Sequence, residues 1–195
     1  MAGDTDDQAN AALLLRRAVE EFDARVRQIG AEQWDAATIN TGWSVRDLVN
    51  HLVYEDLWAP PLFAGSTIAE VGDQFEGDVL GEDPKRSWAT ASGRTLLAIG
   101  EDGVLDGPVH LSFGDVPGSE YAMQLFADHL VHAWDLARAI GADERLDAEL
   151  VQACATWFAE REEGYRGAGA IAARPPVPEE ADEQTLLLAM FGRSS

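Results

Sequence analysis

The chain has one cysteine in 195 residues, Cys154, so no disulfide can form within it. Cys154 lies in LVQACATWFAE, whose apolar spacing is helical, and reads as a small buried core residue. Basic residues are scarce: 14 Lys and Arg stand against 35 Asp and Glu, a formal net charge of −21. Such a chain repels a phosphate backbone, and no basic stripe offsets that, which excludes nucleic acid and anionic membrane surfaces as partners. Long apolar runs are also missing, since none approaches the roughly 18–20 residues of a membrane-spanning helix. The opening MAGDTDDQAN is acidic and polar, unlike a secretory signal peptide, so a cytoplasmic location is expected.

What is present is helical periodicity. Hydrophobic residues make up 46% of the chain, enough for one sizeable core. Residues 8–30 predict a long helix with Leu13, Leu14, Ala18, Phe22, Val26 and Ile29 on its apolar side, stopped near Gly30. Ser44 with Asp47 three residues on has the form of a capping box. A second helix is expected from there to Trp58, ended by Pro60 and Pro61. A short helix near residues 67–71 and a third long helix opening at Pro84 follow. VLDGPVHLSFGDVPG has the alternation and turn residues of a short hairpin. A fourth long helix over about 119–140 stops at Gly141, and a fifth is expected over about 147–163. After the proline-rich ARPPVPEEAD comes a last short helix, EQTLLLAMFG. The fold class is therefore all-α, a four-helix bundle with short extra helices and one small hairpin. One domain over 1–195 is expected, the bundle over about 8–165 and an extension over about 166–195.

Of the four histidines, His51, His129 and His132 fall inside predicted helices with apolar faces. An imidazole there needs a partner for each ring nitrogen. Asp128 and His132 stand four apart, one turn along a single face, with Tyr121, Leu125 and Leu136 in the same sector. The opposite side, with Gln124, Val131 and Arg138, reads as solvent. A carboxylate and an imidazole one turn apart can chelate a metal, and His51 on the facing helix can supply a third ligand. Read as structure alone, the histidines are core residues with backbone partners and Asp128–His132 is a helix-surface pair.

The segments GWSVRDLVNHL and DHLVHAWDLARAIG, in that order, resemble the DinB-like superfamily. They are most similar to its actinobacterial branch related to mycothiol-dependent maleylpyruvate isomerase. The resemblance covers roughly residues 10–145, and the closing LLLAMFGR resembles the end of a shorter metal-binding subgroup. It implies a DinB-like helical bundle holding one divalent metal through His51, Asp128 and His132. The chain departs from the pattern at Asp128, where the family usually has glutamate, so the carboxylate reaches one methylene less. The stretch after Gly141 is also too short for the isomerase's second domain.

The resemblance implies a metal-activated thiolate, with mycothiol the corresponding thiol, acting on an electrophile as a transferase or isomerase. Glu55 and Asp135 are the candidates for proton transfer, and Trp43, Trp58 and Trp134 for walls around the thiol. Glu55 is alternatively a fourth ligand or a solvated acid, and His129 replaces His132 if the helix rotates. Asp135 either orients a ligand or pairs with Arg138, and His110 reads as a surface-loop residue. Zinc leads, but nickel, iron and manganese tolerate the same donors. The alternatives are a metal-binding stress or sensing module without a thiol substrate, and a bundle that works through partner contacts. A homodimer through the outer helices suits this fold.

Overall fold

The computed structural model describes residues 2–194. Its elements are α1 (Ala2–Val26), α2 (Val45–Phe63), α3 (Ile68–Val71), α4 (Pro84–Ala98), β1 (Pro108–Leu111), β2 (Gly114–Pro117), α5 (Gly118–Ile140), α6 (Ala148–Ala159), α7 (Glu162–Gly167) and α8 (Glu183–Met190). The four long helices α1, α2, α4 and α5 form the bundle. α1 lies along α5, α2 along α4, and α2 meets α5 across the middle. The strands form one antiparallel hairpin, Pro108 opposite Pro117 and Leu111 opposite Gly114. The expected all-α bundle and hairpin are both present.

α1 ends at Val26, and Ala11, Leu14, Leu15, Ala18, Phe22 and Val26 face the core. Leu13, placed on that face from the sequence, is 52% exposed, because it lies about 100° around the helix from Leu14; Leu15 is inside the sector instead. The capping box forms as expected: Ser44 Oγ accepts from the Asp47 amide, and Asp47 Oδ2 accepts from the Ser44 amide at 2.9 Å. α2, however, runs through Pro60 and Pro61 to Phe63 instead of ending at Trp58. Pro60 removes the amide that would reach the Asp56 carbonyl, and the Thr95 hydroxyl of α4 donates to that carbonyl instead, at 3.0 Å. Pro61 bares the Leu57 carbonyl in the same way, so Thr95 satisfies one of the two acceptors that the prolines orphan.

α5 starts against the chain before the hairpin, where a Cβ on Gly118 would strike the Val104 carbonyl oxygen. It stops at Gly141, whose φ of 71° is the left-handed cap that glycine adopts without strain. The expected fifth helix is divided into α6 and α7 by a turn at residues 160–161. α8 docks on α6, with the rings of Phe158 and Phe191 stacked at 4.0 Å.

Candidate metal centre

The capping box at Ser44 sets the start of α2, and His51 stands about two turns later. Across from it on α5, Asp128 and His132 share one face. His51 Nε2 lies 3.1 Å from Asp128 Oδ2, and His132 Nε2 lies 3.4 Å from the other oxygen, Oδ1. One donor atom from each residue falls within 4.8 Å of the other two. Donors about 2.1 Å from a tetrahedral ion stand roughly 3.4 Å apart, so small side-chain adjustments bring the three onto one ion. Two imidazoles and one carboxylate also suit a divalent ion with open positions.

The surroundings fix the donors. His132 Nδ1 lies 2.8 Å from Asp135 Oδ2, which places a proton on Nδ1 and points Nε2 at the cluster. Asp135, fully buried, also accepts from Asn40 Nδ2 at 3.0 Å and from Arg193 Nη2 at 2.9 Å. The Trp43 ring lies 5.1 Å from the His51 ring and stacks on His132 at 6.0 Å and 27°.

Electrostatics follow from this crowding. Burial pulls the His132 pKa down, but Asp128 and Asp135 outweigh it and raise it to about 9. Desolvation pushes the Asp128 carboxyl up, yet the imidazoles of His51 and His132 hold it well below the usual carboxylate range. Asp135 is likewise pushed up by burial and brought down to about 2 by His132 and Arg193. Glu55 moves the other way. Burial, and then the neighbouring Asp128 charge, raise it to about 7, while His51 offsets only part of that. Its Oε1 is 3.9 Å from His51 Nδ1.

The donors open onto a cavity of about 510 Å³. His51, Asp128 and His132 border it, with Glu55 and Trp43 beside them. Trp58 and Trp134, the other candidate walls, do not border it. Trp58 is turned toward Tyr54 and Phe75, and Trp134 is buried with the Arg138 guanidinium over its ring. Gln124 and Val131 lie on the cavity wall, and Val131 is buried, because α6–α8 cover a side of α5 that the helix pattern alone assigned to solvent. Arg138 reaches Glu144, not Asp135. His129 is wholly buried, with Nδ1 2.7 Å from the Leu125 carbonyl and Nε2 3.3 Å from Asp56 Oδ2, turned away from the cluster. His110 pairs with Asp115 across the hairpin, at 2.8 Å.

Sequence reasoning missed Asn40 and Arg193, which stand far along the chain from Asp135. It also missed Asp56, whose place beside Glu55 in a polar-looking turn hides its burial.

A family model described as the mycothiol maleylpyruvate isomerase N-terminal domain matches residues 15–137. Two uncharacterised proteins of Mycobacterium tuberculosis, MT0763 of strain CDC 1551 and Rv0738 of strain H37Rv, are each 29% identical over 187 residues. The match spans 92% of this chain and 95% of each relative. Two crystal structures of the mycothiol-dependent maleylpyruvate isomerase, the first of a mutant, share the fold at TM-scores of 0.56 and 0.55. Their sequence identities are 14% and 15%, and the likeness covers 66% of this chain and 60% of theirs.

Proposed function

The chain belongs to the family of the mycothiol maleylpyruvate isomerase N-terminal domain, and from that membership we propose a divalent-metal-dependent enzyme that adds a low-molecular-weight thiol to an electrophile. The observation that carries this reading is the convergence of His51 Nε2, an Asp128 oxygen and His132 Nε2 at the wall of an open cavity. The structural relatives are mycothiol-dependent, so mycothiol is the leading thiol. His51, Asp128 and His132 would hold the ion, with zinc favoured among the metals this donor set accepts. When bound, the ion lowers the pKa of a thiol or water at its open position toward neutrality.

The chain's own residues supply the rest. Glu55, beside the ligands and titrating near 7 before metal binds, takes the thiol proton as the sulfur attacks an electron-poor carbon. The displaced π electrons move onto the substrate's acceptor oxygen. Glu55 then returns its proton to the adduct, which completes a transferase step. In an isomerisation the adduct stays unprotonated: the former double bond rotates as a single bond, the electron pair returns from the oxygen to restore it and expel the thiolate, and Glu55 gives its proton back to the leaving sulfur. Asp135 keeps the His132 ring in place through both halves. Trp43, against both imidazoles, covers the ligands on one side.

A module that only stores or senses metal would be expected to close the ion off. The open cavity with Glu55 at its edge favours catalysis instead. Elemental analysis of the parent, His51→Ala, Asp128→Ala and His132→Ala is the test. We expect close to one divalent ion per parent chain, and loss of it in all three variants. A parent that takes up no zinc, nickel, iron or manganese when supplied would end the proposal. A parent that binds metal but consumes no thiol with any electrophile would leave the storage reading.

A further inference from the structure

The cavity lies between the family-matched body and a wall built from the rest of the chain. Trp157, Phe158, Tyr165, Ile171 and Phe191 border it, all beyond residue 137, where the family match ends. That wall is apolar and largely aromatic, whereas the opposite side carries the ligand cluster and Glu55.

The cavity's arginine charge is already committed, and an ion held by His51, Asp128 and His132 would be balanced by the Asp128 carboxylate and the bound thiolate. Arg193, the one arginine or lysine among the bordering residues, gives Nη2 to Asp135 and to Asn40 Oδ1, at 2.9 and 3.2 Å. Its Nη1 goes to the Phe191 carbonyl at 2.8 Å. Arg161, over the Trp157 ring, grips both Glu120 oxygens, each at 2.8 Å, and the Trp157 carbonyl. Arg166 is held by Glu162 at 2.5 Å and by the carbonyls of Met190 and Ala172. A carboxylate entering the cavity would need to pull Arg193 from Asp135, leaving that buried carboxylate without its arginine partner. It would also meet Glu55 and the field of a chain with net charge −21. Burying an unpaired carboxylate against aromatic rings is unfavourable.

We infer that the electrophile taken by this cavity is an uncharged compound with an aromatic or alkyl body, and not a dicarboxylic acid such as maleylpyruvate. The aromatic wall receives the body. Tyr121 and Tyr165 border the same space, and among the described residues their hydroxyls have no hydrogen-bond partner, so they are available to a carbonyl or nitro oxygen. The inference rests on the proposed thiol chemistry for the word electrophile; the selectivity itself rests on the wall and the committed arginines.

Direct binding of an unreactive matched pair separates the two. Calorimetry on the full chain would compare 4-nitrobenzamide with 4-nitrobenzoate at neutral pH, in the parent with 2-mercaptoethanol saturating any bound metal and in metal-free His51→Ala. The amide is expected to bind at least about tenfold tighter than the acid in both proteins. Ile171→Arg, which places an uncommitted guanidinium on the wall, should recover at least about tenfold for the acid relative to the amide. Equal or tighter binding of the acid by the parent overturns the inference, as does failure of both ligands to bind. So does an Ile171→Arg protein whose preference has not moved. Because His51→Ala retains the wall, loss of metal binding in the parent would defeat the thiol reading without touching this contrast.

Discussion

Asp135 joins three groups that sequence separates widely: His132 on its own helix, Asn40 in a loop, and Arg193 near the end of the chain. If its carboxylate sets the His132 tautomer, Asp135→Asn should weaken zinc affinity by about 10- to 100-fold in competition titrations. Arg193→Ala should shift it in the same direction by less, because Asn40 still holds Asp135; unchanged affinity in both would remove the orienting role. The His132 pKa gives a second prediction. It is raised from 6.5 to about 9 in the metal-free protein, so pairing with Asp128 and Asp135 stabilises that form fully below about 6.5. The contribution is lost as pH rises through about 9. Metal must displace the same proton, so apparent zinc affinity should climb from pH 6 to about 9 and then flatten. Zinc affinity that stays level across that range would refute the protonated pair. At this scale the Asp128–His132 pairing was legible, because four-residue spacing on a helix is a geometric statement, and the structure brings His51 up to it. Arg193 was not legible, since nothing local ties it to a residue 58 positions away.

Among the elements, α2 has the helix end that local rules misjudge. Its start follows from Ser44 and Asp47 alone, whose bonds lie within three residues of each other. Its end depends on Thr95 of α4 donating to the carbonyl that Pro60 leaves bare. Thr95 is fully buried, so Thr95→Val keeps the shape and strands the acceptor. We expect a loss of about 1–3 kcal/mol in urea unfolding, concentrated in the α2–α4 contact. Stability equal to the parent would mean that the helix end survives without the bond. One of two other departures shares this tertiary origin. Val131 and Gln124 were assigned to solvent because a helix pattern shows which faces differ but not which face a later segment covers. Leu13 alone of the six residues placed on the α1 stripe is exposed, because it sits about 100° from its neighbour Leu14, outside the buried sector. The α5 stop at Gly141 was legible, since a left-handed glycine cap is a local signal.

At the scale of the whole molecule, 35 acids against 14 bases produce a field that acts with opposite signs on folding and on loading. Like charges spread over the surface repel one another, and the folded chain holds them closer than the unfolded one does. Raising ionic strength from about 0.01 to 0.15 M shortens the screening length from about 30 to 8 Å. That relieves the repulsion while also weakening exposed pairs such as Arg46–Asp78 and Arg145–Asp143. Such solvated pairs contribute little, and salt screens them further. The unpaired acids are the more numerous, so the melting temperature of the metal-free protein should rise with salt, by about 2–4 °C for each kcal/mol of repulsion relieved. Entry of a divalent cation uses the same field in reverse, because negative potential concentrates cations near His51, Asp128 and His132. The association rate for zinc, followed by stopped flow, should therefore fall over the same salt series in which the melting temperature rises. A rate that holds steady while stability climbs would mean that the acidic surface serves folding and solubility alone, and that the site draws its metal through its three donors without help from the rest of the chain.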